Sequence, residues 1–258
     1  MDLELGGRVV VVTGGSDGLG LALGHRLVSE GARVALCART EDRLRAAADE
    51  LRRAGGDVLD VVADVGVPDD LRALTEATVE RWGRLDGVVN NAGRSAAAPV
   101  AETTDGQWEE DLDLKLMASV RLSRFALPHL EASGGAIVNV LAVAAKAPGP
   151  GSAPSSVSRA AGMALTKALS KEVGPRGVRV NAVLIGLIES GQWRRMAEAS
   201  GTAVEDLYQR MAQSSGIPLG RVGRAAEFAD LTAYLLSSRS SYVTGTAINL
   251  DGGLSPTV

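Results

Sequence analysis

Residues Arg8–Gly20 read RVVVVTGGSDGLG. The part Arg8–Thr13 is a continuous β-branched run without polar alternation, which is what a strand buried on both faces requires. It ends in Thr13-Gly14-Gly15-Ser16-Asp17-Gly18-Leu19-Gly20, and a helical pattern follows from about Gly18 to Glu30. The glycines permit a tight turn and let backbone N–H groups approach a pyrophosphate. The helix N-terminus adds the positive end of its dipole. Turns collect glycine in any case, so the motif counts because a strand precedes it and a helix follows.

Outward from this stretch, strand-like and helical patterns alternate. Strands are predicted at Arg33–Ala38, Asp57–Ala63, Leu85–Asn90, Gly135–Leu141, Val178–Leu184 and Thr246–Leu250. Helices are predicted at Glu41–Ala54, Pro68–Trp82, Asp105–Leu130, Ser155–Val173 and Ala225–Ser237. Pro68 sits at a helix start, where its missing N–H is harmless. Sustained strand–helix alternation implies an α/β fold, a doubly wound parallel sheet with helices on both faces. No linker or charge block divides residues 1–258, so one dinucleotide-binding domain is expected.

Composition narrows the function. The chain has 258 residues, 45% of them apolar, and a net charge of −4. An acidic balance gives no bulk-charge signal for nucleic acid and no polybasic signal for a membrane surface. No run of about 18 uncharged apolar residues is present, so no transmembrane helix is expected. The N-terminus MDLELGGR lacks a basic region followed by an apolar one, so a cytoplasmic location is expected. One cysteine, Cys37, and two histidines, His25 and His129, give no disulfide framework and no metal-ligand set. Only four of the 27 basic residues are lysines (Lys115, Lys146, Lys167 and Lys171), so a lysine near a cleft is informative.

Further motifs make the chain resemble the short-chain dehydrogenase/reductase family, whose glycine pattern is TGxxxGxG. Asn90-Asn91-Ala92-Gly93 resembles the family's NNAG, and Asp64 its adenine-side aspartate. Arg179-Val180-Asn181-Ala182, Ile217-Pro218-Leu219-Gly220-Arg221 and Val243-Thr244-Gly245…Asp251-Gly252-Gly253 resemble its later signatures. The resemblance implies a single Rossmann-type domain, a lid at about residues 189–216, and a small-molecule carbonyl or alcohol substrate. It also implies a homo-oligomer, tetramer or dimer, with Phe228, Leu231, Leu235 and Leu236 supplying either subunit contacts or core. It places Gly14, Ser16, Asp17, Gly18, Leu19 and Gly20 at the cofactor's phosphates. Asp64, Val65, Asn90, Ala92, Gly93, Arg159, Gly186 and Ile188 complete the cofactor contacts it implies. At the end of the second strand stand Ala38 and Arg39, where an acid would repel a 2′-phosphate. A missing acid followed by a guanidinium favours NADP(H) over NAD(H). The other reading leaves Arg39 as a solvated loop residue.

The catalytic pattern of the family fails. With Ile137–Ala142 (IVNVLA) on the family's IVNISS-type run, the serine position is Ala142. Thirteen residues on, the tyrosine position is Ser155, and the lysine position is Arg159. Seven residues after Trp108, the asparagine position is Lys115. The run Ala160–Leu169 stays in register, which argues against a local slip. Alone, a serine hydroxyl is far too weak an acid to replace a phenol, and a guanidinium is not a general acid. Losing a positioned acid removes about 10²–10⁴-fold in rate.

Replacement groups are few. Trp108, Leu112, Lys115, Ser119, Leu122 and Ala126 fall at 4-3-4-3-4 spacing, one helical stripe, and a lysine in a protein-facing stripe is unusual. Beside Arg159 its pKa should fall, suiting a general acid or an iminium-forming amine. The alternative is a lysine that snorkels to the surface. Lys115, Ser155 and Arg159 are therefore the catalytic candidates. Lys146 either binds an anionic substrate or is solvated. Tyr208 either reaches in from the lid or packs it, and Tyr234 and Tyr242 are expected to be structural. Trp193, Arg194 and Arg195 make the lid basic and amphipathic. Three functions remain open: an NADP(H)-dependent oxidoreductase with a rebuilt acid–base centre, a catalytically silent cofactor-binding protein or partner subunit, and a lyase or isomerase using Lys115.

Overall fold

The glycine-rich turn lies at the carboxyl end of β1 (Val9–Thr13), a strand with every residue buried. In the computed structural model, which describes residues 2–258, β1 pairs in parallel with β2 (Arg33–Ala38) and with β4 (Gly87–Asn90). Outward from β2 lies β3 (Val58–Val62). Outward from β4 lie β6 (Ala136–Ala142), β8 (Arg179–Ile185) and β9 (Ala247–Leu250), all parallel. The order is β3-β2-β1-β4-β6-β8-β9. A two-residue ribbon, β5 (Ala97–Ala98) with β7 (Ala153–Pro154), stands apart from the sheet. Strand order reverses between β1 and β4, and open α/β sheets bind ligands at such a crevice.

Strand periodicity divides the core. Val10 and Val12 join Leu36, Leu23, Leu44 and Phe228 on one face. That face is covered by α1 (Gly18–Ser29), α2 (Glu41–Arg53) and α9 (Ala225–Leu236). Val9 and Val11 join Leu74, Leu122, Leu130 and Leu169 on the other. There α3 (Pro68–Trp82), α5 (Ala118–Ser133) and α6 (Ser155–Val173) supply the cover. This two-sided burial is why the strands read as unbroken apolar runs. No helix of residues 2–258 is long and apolar enough to cross a membrane.

Two expectations are corrected, and one open alternative is resolved. The helix predicted over Asp105–Leu130 is not continuous. It begins as α4 (Asp105–Leu112), with a capping box between Thr104 and Gln107, passes through a π-helical turn at Asp113–Met117, and continues as α5. The buried row is Asp111, Lys115, Ala118, Leu122 and Ala126, in place of the predicted row through Leu112 and Ser119. Phe228, Leu235 and Leu236 are buried within their own chain, so they are core and not subunit surface. Tyr242 is fully exposed and packs nothing. The segment at about 189–216 forms two helices, α7 (Gly191–Ser200) and α8 (Val204–Ser215).

Candidate functional site

A cleft of about 490 Å³ opens above the carboxyl ends of β1, β4, β6 and β8. Its floor is the glycine-rich turn. Gly14 has φ +67° and Gly18 φ +54°, values that L side chains avoid. A Cβ at Gly20 would lie 2.8 Å from Asn91 Nδ2 and strike the Gly14 carbonyl, so helix and loop pack backbone to backbone there. Thr13 Oγ1 accepts the N–H groups of Asn91 (2.9 Å) and Ala92 (3.0 Å), tying the β4 loop to the turn. Asn91 Nδ2 donates to the Thr13 carbonyl at 2.8 Å. The result is a bare backbone cradle at the N-terminus of α1, which fits a dinucleotide's phosphates.

One feature of this cradle is unusual. Asp17 caps α1 by accepting the Gly18 N–H at 2.7 Å. The same carboxylate is bound by Arg43 (2.8 Å), Arg194 (3.0 Å) and Arg195 (2.7 Å). Burial alone would raise the Asp17 pKa. The Arg195 hydrogen bond, the Gly18 N–H and the charges of Arg194 and Arg43 outweigh it and hold the carboxyl below its usual range. Arg194 and Arg195 belong to α7, so that helix is tied electrostatically to the glycine-rich turn.

Of the cofactor residues expected from sequence, Gly14, Ser16, Asp17, Gly18, Leu19, Ala92, Gly93, Arg159, Gly186 and Ile188 line the cleft. Gly20 lies behind the turn as a packing residue. The Val65 and Asn90 side chains are beneath the floor, which leaves only their backbone for a cofactor. Val65 packs with Leu71 and Leu74, and Asn90 donates to Asn139 at 2.8 Å. Arg39 and Asp64 stand beside the cleft, 3.9 Å apart, with the Arg39 side chain 70% exposed. Sequence reading missed Asn91 and Arg43 as cleft residues, although Asn91 lies inside the NNAG motif.

At the other end of the cleft, Ala142 ends β6, and Ser155 and Arg159 occupy the first turns of α6. Their spacing of four puts both on one face. Arg159 Nη1 donates to the Val140 carbonyl. Its Nη2 lies 2.7 Å from where a Gly93 Cβ would stand, so only glycine leaves room for it. Burial pulls the Arg159 pKa down to about 10, against the opposing charge of Asp111, and the guanidinium stays cationic at neutral pH.

Behind Ser155 is Lys115, with its side chain 1% exposed. Its Nζ donates to Ser155 Oγ at 2.6 Å and to Asp111 Oδ1. Asp111 is equally buried, and its Oδ2 accepts Ser158 Oγ at 2.6 Å. Neither Asp111 nor Ser158 was expected from sequence. Ser155 Oγ also accepts the Ala96 N–H at 3.0 Å. Two donors thus fill the hydroxyl's acceptor positions, which leaves its own proton free to be donated. Burial pushes the Lys115 amine below its usual value; Asp111 pulls it back up, and the charges of Arg159 and Arg94 add to the lowering.

The remaining candidates lie elsewhere. Lys146 Nζ binds the Ala247 carbonyl (3.0 Å) and Asn249 Oδ1 (2.8 Å), so it fastens β9 and is neither solvated nor free for substrate. Tyr208 packs with Ala212, Ile217 and Val222 inside the lid, outside the cleft. Trp193 does line the cleft.

Residues 14–255 match the family model described as enoyl-(acyl carrier protein) reductase. A short-chain oxidoreductase from Pseudomonas aeruginosa, solved with NADPH and described as containing an atypical catalytic center, is 42% identical. The match covers 97% of this chain and 98% of that one, with a TM-score of 0.92. L-Sorbose reductase from Gluconobacter frateurii, solved with NADPH and L-sorbose, is 34% identical over 100% of both chains, with a TM-score of 0.94. The granaticin polyketide synthase putative ketoacyl reductase 1 of Streptomyces violaceoruber is 36% identical over 95% of this chain and 92% of its own. With the parallel sheet, the glycine cradle and these full-length relatives together, the chain belongs to the short-chain dehydrogenase/reductase family of oxidoreductases.

Proposed function

We propose that this protein is an NADP(H)-dependent oxidoreductase interconverting a carbonyl and an alcohol, with Ser155 as the proton donor and Lys115 as its source. The observation that carries this reading is the Ser155 hydroxyl, which accepts from Lys115 and from Ala96 N–H at the wall of the cleft. A nicotinamide dinucleotide, when bound, supplies the hydride that reduces the carbonyl carbon. The carbonyl oxygen then takes the Ser155 proton, and the Lys115 ammonium restores it. An ammonium at hydrogen-bond distance removes the objection that a lone serine is too weak an acid, because no free alkoxide has to form. Arg159 stays charged and stabilises negative charge developing on the oxygen. The cradle at α1 leaves backbone room for the cofactor, and Gly93 leaves room for the Arg159 guanidinium.

NADP(H) is preferred over NAD(H) in this reading because Ala38 offers no carboxylate and Arg39 is exposed at the mouth. The NADPH complexes of the P. aeruginosa and G. frateurii relatives support it. The lyase or isomerase reading is disfavoured by geometry: Lys115 is sealed behind Ser155, and an iminium needs the amine to meet the substrate carbon. A homo-oligomer belongs to the same proposal. Exposed Met117 at the end of the π turn and Val157 on α6 supply apolar surface for it, and sedimentation tests it.

The test is turnover of NADPH with ketoses and β-ketoacyl thioesters, chosen from the chemistry of the relatives. Measurable oxidation of NADPH that falls about 10²–10⁴-fold in Ser155→Ala, the range for a positioned general acid, supports the reading. NADPH binding without turnover across both substrate classes supports the silent, cofactor-binding alternative.

A further inference from the structure

Lys115 lies between two cavities. Ser155, on one side, is a wall of the cleft. Asp111, on the other, is a wall of a second cavity of about 240 Å³, enclosed by α4 and the β5–β7 ribbon. Thr103, Gln107, Glu110 and Arg94 place polar groups on walls that are otherwise apolar, formed by Ala96, Ala97, Ala98 and Pro154. The two cavities meet at Arg94 and Ala97, which line both. Lys115 lines neither, and its ammonium touches a residue of each.

Resting on the oxidoreductase reading, we propose that the second cavity is a proton inlet separate from the substrate cleft, with Asp111 as relay and positioning residue for Lys115. Once Lys115 has restored the Ser155 proton, it is a neutral amine and needs one proton to reset. Its 1% exposure closes any direct path to solvent. On the cleft side it meets only Ser155, which faces substrate and cofactor. On the other side Asp111 Oδ1 meets the amine, while Ser158 fixes Oδ2. A cavity of this size has room for several waters, each occupying about 30 Å³, and Thr103, Gln107, Glu110 and Asp111 offer them hydrogen-bond partners. A proton from these waters passes to the Asp111 carboxylate and then to the Lys115 amine. Asp111 ends as carboxylate and Lys115 as ammonium, so one proton enters per carbonyl reduced and both residues return to their starting charge. Alcohol oxidation runs the same path outward. The exposed Arg94–Glu110 pair, 2.5 Å apart, lines the same cavity.

Charged groups facing Lys115 are Asp111 on α4, Arg159 on α6, and Arg94 after β4. Two of the three are cations, so Asp111 is what keeps the amine protonated. The experiment follows the Lys115 ammonium by NMR in the full chain labelled with ¹⁵N-lysine. Four lysines give four signals, assigned with single Lys→Arg variants of Lys146, Lys167 and Lys171. In Asp111→Asn the Lys115 titration midpoint is expected to fall by about one unit or more, a tenfold loss of proton affinity. In Ala98→Phe, which fills the cavity without touching the cleft, solvent exchange of the Lys115 Nζ protons is expected to slow about tenfold, with the midpoint unchanged. An unmoved midpoint in Asp111→Asn overturns the role of Asp111, and unslowed exchange in Ala98→Phe overturns the inlet. If Asp111→Asn does not fold, the Ala98→Phe exchange still decides. Neither readout needs a substrate. Absence of turnover therefore defeats the oxidoreductase reading alone, whereas unchanged Lys115 behaviour in an active enzyme defeats the inlet alone.

Discussion

Replacing Lys115 with methionine probes whether the buried pair is held for stability or for chemistry. The Lys115 and Asp111 side chains are 1% and 2% exposed. Removing one partner of a buried pair leaves an uncompensated charge and costs about 3–5 kcal/mol. Asp111 would keep only the Ser158 hydroxyl on Oδ2, too little to offset a lost ammonium. At about 2–4 °C per kcal/mol for a chain of this size, the midpoint of thermal unfolding should fall by roughly 6–20 °C. The pair as a whole is worth far less than this, because desolvating two charges consumes most of their attraction. Lys115→Met combined with Asp111→Asn should therefore recover most of the loss: methionine fills the lysine volume, and the amide oxygen still accepts from Ser158.

The assay is thermal and urea unfolding of wild type, both single variants and the double variant, with NADPH affinity and turnover measured on each. The expected pattern is a damaged single variant and a near-native double variant that binds NADPH without turning over. That pattern would place the pair's value in the reaction. A loss below about 1 kcal/mol in Lys115→Met would refute the reasoning, since it would mean the charge is not buried when the protein is in solution. A double variant as unstable as the single would refute it equally, by assigning the cost to packing around residue 115 and not to the stranded carboxylate.

Three other perturbations have definite outcomes. Arg39→Ala should weaken NADPH about 10–100-fold and leave NADH unchanged, because one or two charge-assisted hydrogen bonds are worth about 1.5–3 kcal/mol and each 1.4 kcal/mol is tenfold; fluorescence titration reads it. Lys146→Met should lower stability by about 1.5–3 kcal/mol in urea melts while leaving the substrate KM alone, since its ammonium holds Ala247 and Asn249 and not a ligand. Asp17 is held below its usual pKa, so its contribution is complete above the unfolded value of about 3.9 and disappears as pH falls through the lower folded value. The stability difference between wild type and Asp17→Asn should accordingly be flat from pH 7 to 5 and shrink below about pH 4.

The fold was legible because it rests on periods the residues cannot hide. A strand covered on both faces needs apolar side chains at every position, as at Val9–Val12, and the bare glycines of the cradle admit no substitutes. Ser155 and Arg159 were legible for a related reason: α6 keeps an unbroken α-helical register, so counting residues also counts turns. Ala142 was legible as the last residue of the apolar run that forms β6. Arg43 was hidden because its partner, Asp17, is 26 residues away, and a basic residue on the first turns of a charged helix looks like any solvated one. Lys146 was hidden because its partners lie about 100 residues along, in β9.

Asp111 was hidden because two residues compete for one place. In an ideal helix through Trp108 and Lys115, Asp111 and Leu112 flank that line about equally, and a protein-facing stripe favours the leucine. In the fold Asp111 is the buried one, four residues before Lys115 on the same helix face. That difference changes the chemistry of the site. With Leu112 inward, Lys115 would lie between Arg159 and apolar atoms, a position that favours a neutral amine. With Asp111 inward, the ammonium is retained, held at Ser155, and joined to a second cavity. The residue replacements at positions 115, 155 and 159 are thus only half of the rebuilt centre. The other half is helix geometry, which selects the neighbour that makes a buried lysine usable as a source of protons.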